Sequence, residues 1–146
     1  MIVKYSEKYH DDIIELCREF VKDALSEYSF KMQEEVVNNT IETCKNNVYC
    51  FIKDGRCVGV LAGVLCNAFT DKDAAFHEVI WYMKKGYRKY GIKLYRHVEI
   101  VLKMCGIKRI VMALMCNSKQ DKLDKFYKRL GYKPFEVQYY KELEEN

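Results

Sequence analysis

Glu78 to Gly91 reads EVIWYMKKGYRKYG, an apolar run that breaks into a turn carrying Lys84, Lys85, Arg88 and Lys89. Gly91 then opens an amphipathic stretch with helical spacing. A strand that passes through a cationic turn into a helix gathers three things in one place. These are backbone N–H groups without an intrahelical acceptor, the positive end of the helix dipole, and cationic side chains. The chemistry that suits such a place is capture of a phosphate-bearing ligand, by amides and by charge-assisted bonds from Arg88 and Lys89. Taken alone, the same residues also describe a solvated basic turn with Gly91 as a helix start.

The chain has 146 residues, a single Pro and a net charge of +4. That length predicts one domain over residues 1–146, large enough to bury a core without staples. Basic and acidic residues are interspersed outside the 84–89 cluster, which argues against the broad basic face of a nucleic-acid binder. A small RNA- or DNA-binding domain using Lys84 to Lys89 is therefore only a third reading. Seven cysteines, at 17, 44, 50, 57, 66, 105 and 116, are odd in number and lack CxxC pairing. Several lie in apolar segments, where Cys acts as a small hydrophobe. With no signal-peptide pattern, the expectation is a reducing, cytoplasmic setting. His10, His77 and His97 show no ligand spacing with the cysteines, so no metal is expected. No apolar run approaches the roughly 20 residues that cross a bilayer.

The elements that must position the turn follow from periodicity. Ile2 to Tyr5 reads as a first strand, and Asp11 or Asp12 can cap a helix with Ile13, Ile14, Cys17, Phe20, Val21 and Leu25 at helical spacing. A second helix covers Lys31 to Lys45. Val48 to Lys53 is a strand, Asp54-Gly55 a hairpin turn, and Cys57 to Cys66 the returning strand. Ala74 to Met83 is the next strand, and Gly91 to Met104 the helix after the basic turn, stopped by Gly106. Ile107 to Met115 reads as a strand, Asp121 to Leu130 as a helix ended by Gly131, and Phe135 to Tyr140 as a last strand. The order is β-α-α-β-β-β-α-β-α-β, an α/β (α+β) domain with a mixed, mostly antiparallel central sheet flanked by about four helices. Residues 74 to 115 should form its parallel strand–helix–strand unit.

That order, with an anion turn between the fourth strand and the third helix, resembles the GCN5-related N-acetyltransferase (GNAT) family. The family's motif there is Arg/Gln-x-x-Gly-x-Gly/Ala, and this chain has Arg88-Lys89-Tyr90-Gly91-Ile92-Lys93. Arg88 and Gly91 match, and Lys93 stands where Gly or Ala is usual. Phe126-Tyr127-Lys128-Arg129-Leu130-Gly131-Tyr132 is similar to the family's second motif, in its place before the final strand. The abbreviated form is also similar to GNAT-like proteins of phages and prophages.

The resemblance implies transfer of an acetyl group from acetyl-CoA to a primary amine, small molecule or peptide, by direct attack in a ternary complex. Arg88, Lys89, Tyr90, Gly91, Ile92 and Lys93 would hold the pyrophosphate. The backbone of Trp81 and Met83 would bind the pantetheine arm, with the Met83 N–H as oxyanion donor. Glu78, ten residues before Arg88, would be the general base. An amine of pKa near 10.4 must lose a proton before it can attack a thioester. A solvent-facing strand residue explains Glu78 equally well, and adjacent His77 is the fallback on the other face. The spacing of Glu78, Trp81 and Met83 departs from strict alternation, which a bulge would reconcile. Tyr127 would hydrogen-bond the departing thiolate, although Leu123, Phe126, Tyr127 and Leu130 also make a core stripe. Asn117 is preferred over Gln120 as a further pantetheine contact, and Cys116 lacks a nearby His to activate it. The alternative function is a catalytically degenerate GNAT-fold protein with a structural or partner-binding role. Abundant Tyr and a C-terminal edge strand permit a homodimer.

Overall fold

The computed structural model describes residues 1–67, 71–116 and 119–143. Its backbone divides into two compact units, Met1–Ala113 and Leu114–Asn146.

The first unit is built on one five-stranded sheet. Strand β1 (Ile2–Lys4) is followed by helices α1 (His10–Ala24) and α2 (Glu34–Cys44). Strands β2 (Val48–Lys53), β3 (Arg56–Asn67) and β4 (Ala74–Met83) come next, then α3 (Gly91–Met104) and β5 (Arg109–Val111). Strand order in the sheet is the order in the chain, antiparallel throughout except for the parallel β4–β5 pair. This is the mixed, mostly antiparallel α/β fold that the periodicity predicts. Asp54 and Gly55 at the β2–β3 hairpin both have positive φ, 50° and 77°, as a two-residue turn matched to strand twist requires.

The sheet buries both faces. On one, Ile13 and Leu16 of α1 and Cys44 of α2 pack with Val48, Cys50, Val60, Ala62 and Tyr82. On the other lies α3, whose buried positions Leu94, Tyr95, Val98 and Leu102 recur every three or four residues. Cys44, Cys50 and Cys57 are buried as small apolar side chains, while Cys66, Cys105 and Cys116 are exposed.

Several boundaries differ from those expected. A single-turn helix, Glu7–Tyr9, leads straight into α1, so neither Asp11 nor Asp12 caps it. The Asp12 carboxylate instead accepts from Arg56 Nε at 3.0 Å and from the Cys57 N–H at 2.9 Å, which ties α1 to the start of β3. Asp12 is held below the usual carboxylate range, chiefly by that Arg56 bond. Helix α2 begins at Glu34 rather than Lys31. Strand β5 has three residues instead of the nine from Ile107 to Met115. Ile107 N–H is engaged in capping α3, donating to the Leu102 carbonyl while Gly106 N–H donates to Lys103. No strand forms over 135–140. Its side chains show no buried face, with Phe135 64%, Val137 73% and Tyr139 94% exposed, so nothing offsets the cost of ordering it.

The second unit contains α4 (Gln120–Arg129), which buries Tyr127 and ends at Gly131 with φ 90°. Tyr132 N–H donates to the Tyr127 carbonyl and Gly131 N–H to that of Lys128, the same cap as on α3.

Gly63 is the tightest point of the sheet. A Cβ there would lie 2.4 Å from Phe76 Cζ and 2.6 Å from the His77 carbonyl oxygen, and the latter is backbone that cannot yield cheaply. Gly63→Ala is expected to lower stability by about 1–3 kcal/mol. Denaturant unfolding measures this, and an unchanged midpoint contradicts such close packing.

Candidate active site

Strand β4 carries one residue more than its neighbour. The β3–β4 register runs Ala62 with Ile80 and then Gly63 with Glu78, so Val79 has no opposite number. This is the bulge that the spacing of Glu78, Trp81 and Met83 calls for. On the other side of β4, pairing with β5 covers only Ala75 to His77, ending at Val111. Beyond His77, β4 continues six residues to Met83, with no strand beside it among the described residues.

Backbone direction along that stretch follows from one bond. Lys84 N–H donates to the Val58 carbonyl at 2.8 Å, toward β3. Successive amides of a strand alternate in direction, so the N–H and C=O groups of Trp81 and Met83 face away from β3, toward the open edge. Their side chains pack under the start of α3. Trp81 lies 5.7 Å from the Tyr95 ring, and a Cβ on Gly91 would meet Met83 Cγ at 3.3 Å. Gly91 therefore has a steric reason to be glycine as well as a place at the helix start.

The turn from Lys84 to Tyr90 is ordered by its own hydrogen bonds. Tyr87 N–H donates to Lys84 O, and Tyr90 N–H to Tyr87 O. Gly91 N–H donates to Arg88 O within the single-turn helix Arg88–Tyr90 that precedes α3. Tyr90 stacks on Phe51 with ring centroids 4.9 Å apart, and Lys89 Nζ lies 5.2 Å from the Tyr90 ring centroid. Lys89, Ile92 and Lys93 are exposed; Lys93 projects from the first turn of α3. Arg88 is not free in solution. Its Nη2 bonds Asp23 Oδ2 at 3.1 Å, on the last turn of α1.

Glu78 and His77 point to opposite faces. His77 pairs with Val64, which packs against the α1 core, and its Nε2 is buried without a hydrogen-bond partner among the described residues. Glu78 reaches into the gap where β4–β5 pairing ends, accepting a long 3.4 Å bond from Ala113 N–H. Half-buried but surrounded by protein, its carboxyl is pushed up by desolvation to about 7, against the opposing pull of that N–H. A carboxyl poised there exchanges a proton readily near neutral pH, the property a general base needs.

The first unit thus brings together Glu78, Trp81, Met83 and the 88–93 turn along one strand and its exit. Tyr127 lies in the second unit, its ring 6.1 Å from Phe126 and 5.3 Å from Tyr132. Asn117 falls outside the described residues. Among the described residues there is no cluster of three metal-ligating side chains, and no helix long and apolar enough to cross a membrane.

A family model described as an acetyltransferase (GNAT) domain matches residues 3–142. The chain belongs to the GNAT acetyltransferase family. Solved structures share the fold at low identity. A Pyrococcus furiosus protein taken to be an acetyl transferase is 21% identical, with TM-score 0.76, over 98% of this chain and 99% of that one. An aminoglycoside acetyltransferase from an uncultured soil metagenomic sample, solved with sisomicin, is 16% identical, with TM-score 0.73, over 99% and 96%. A Bacillus halodurans transcriptional regulator is 15% identical, with TM-score 0.75, over 98% and 99%. No curated protein matches the sequence.

Sequence reasoning missed three residues around the GNAT turn: Glu19, Asp23 and Tyr82. Glu19 and Asp23 are one helical turn apart on α1, a spacing that any exposed acidic face shows. Their partners lie more than 58 residues away, so no local pattern announces them.

The raised Glu78 carboxyl has a sign. Between its ordinary value of 4.5 and about 7 the folded protein holds a proton that the unfolded chain has lost, so stability falls as pH rises through this window. Glu78→Gln should remove that fall, making the variant more stable relative to the parent at pH 8 than at pH 5. Parallel pH dependences in denaturant unfolding would rule out the desolvated carboxyl.

Proposed function

We propose that this protein transfers the acetyl group of acetyl-CoA to a primary amine by direct attack. The observation that carries the reading is the stretch of β4 from Glu78 to Met83, where the ladder with β5 has ended and the strand runs without interruption into the basic turn before α3. Acetyl-CoA supplies an activated acyl group as a thioester, together with a pantetheine arm and a diphosphate. The residues present fit it. The outward N–H and C=O groups of Trp81 and Met83 match the amide-bearing arm, as a strand edge accepts an extended partner. Gly91 keeps the helix start close to β4, and Arg88, Lys89 and Lys93 supply charge for the diphosphate.

Glu78 takes the proton from the acceptor ammonium, directly or through one water. Of the two outward amides, that of Trp81 is the nearer: Glu78 and Trp81 stand opposite Gly63 and Leu61, two residues of β3 apart, or about 7 Å along the strand at ~3.3 Å per residue. Met83, opposite Gly59, lies about 13 Å along, farther than one acyl group spans. We therefore assign donation to the acyl oxygen to Trp81 N–H, in place of Met83, and leave Met83 to the arm. Tyr127 is assigned the hydrogen bond to the thiolate on its motif alone. A phenol near pKa 10 is a weaker acid than a thiol near 8.5, so it stabilises charge rather than completing a proton transfer.

Neighbours named as aminoglycoside acetyltransferases make aminoglycosides the first acceptors to try, alongside simple and peptide amines. A GNAT-fold protein without catalysis is the second reading, favoured by Lys93 in place of a small residue and by the Arg88–Asp23 pair. Acetyl-CoA at a hundred times its dissociation constant should stabilise the protein by about 2.7 kcal/mol, read as a thermal shift. Glu78→Gln should leave that shift intact and lower turnover by about 10²–10⁴. The parent's turnover should rise with pH around 7. No shift favours the second reading, and unaltered turnover in the variant removes Glu78 as the base.

A further inference from the structure

The exit of β4 is gripped from α1 by two carboxylates. Lys84 Nζ bonds Glu19 Oε1 at 2.8 Å, and Arg88 Nη2 bonds Asp23 Oδ2 at 3.1 Å. The same Asp23 oxygen accepts from Tyr82 Oη at 2.6 Å, and the Arg88 guanidinium lies 5.9 Å from the Tyr82 ring centroid. The two pairs are not equivalent. Lys84 is fixed to the sheet through its own N–H bond to Val58, and Glu19 Oε2 is buried without a partner among the described residues. Arg88 lies four residues further on, in the single-turn helix before α3, its side chain 42% exposed, on a carboxylate equally exposed. One guanidinium thus sits at the start of the anion turn but is directed at the protein's own carboxylate.

We propose that Asp23 competes with the cofactor's diphosphate for Arg88, so that α1 carries an internal counter-anion that sets cofactor affinity. This rests on the acetyl-CoA reading and names the residue that tunes it. Arg88 exchanges one anion for another, while Lys84–Glu19 keeps α1 in place. Asp23 retains the Tyr82 hydroxyl when Arg88 leaves, so its carboxylate is not stranded. Asp23 is a positioning residue; it acts on the cofactor only through Arg88.

Calorimetric titration with CoA tests this on the parent and four variants. Asp23→Asn keeps an acceptor oxygen for Tyr82 and should tighten CoA about two- to fivefold, the range expected of an exposed ion pair. Arg88→Gln should weaken CoA. In the Asp23→Asn/Arg88→Gln double variant the gain from Asn should vanish, whereas a merely more positive field would keep it. Tyr82→Phe removes the hydroxyl donor from Asp23, strengthens its hold on Arg88 and should weaken CoA, the opposite sign. Pantetheine, which lacks the diphosphate, should bind parent and Asp23→Asn alike. Unchanged or weaker CoA binding by Asp23→Asn, or a gain that survives in the double variant, overturns the proposal. Inorganic pyrophosphate separates the two levels. If it binds with the same ranking while CoA binds no variant, the competition stands and the cofactor reading falls. If neither binds, both fall.

Discussion

One extra residue in β4 shapes the rest of the site. Val79 has no partner in β3, so the strand bends where β5 stops pairing with it. Had the β4–β5 ladder continued to Met83, the outward amides of Trp81 and Met83 would be occupied by β5, and no edge would remain for an extended ligand. Gly63 stands opposite Glu78, where Phe76 and the His77 carbonyl leave no room for a side chain. The same bend puts Glu78 and Trp81 on the face that β4 turns toward α3, and leaves His77 buried on the other. A single irregularity therefore ends a ladder, exposes donors and selects which titratable group meets the gap.

Around this edge the charges are arranged in opposition. Glu78 is raised because protein replaces the water that would solvate its carboxylate, with one long N–H bond as partial compensation. The basic turn is partly neutralised from α1 by Glu19 and Asp23, and the Tyr82 hydroxyl, pushed up to about 12 by burial and by Asp23, stays a donor at working pH. Exposed pairs of this kind add little stability. Their consequence is directional: they decide where a flexible guanidinium points.

The regular parts of the fold were legible because their causes are local. Val48–Lys53, Ala74–Met83 and Gly91–Met104 have the boundaries that alternation, the Asp54-Gly55 turn and the Gly106 cap predict. The bulge was legible too, from the misfit of Glu78, Trp81 and Met83 to strict alternation. What failed depended on distant partners. Asp12 has the sequence look of a helix cap, and Arg56 claims it from 44 residues away. Residues 135–140 alternate like a strand but bury no face. Arg88 matches an anion-binding motif, and the sequence carries no sign that Asp23 holds it.

The central claim is that the edge of β4 beyond His77 receives an extended ligand through the amides of Trp81 and Met83. Residue-resolved hydrogen exchange, with and without CoA, tests it most directly. The Tyr82 amide, directed at β3, should be protected in both conditions, whereas those of Trp81 and Met83 should exchange markedly more slowly with CoA than without it. CoA binding that leaves the exchange of Trp81 and Met83 unchanged would contradict the account.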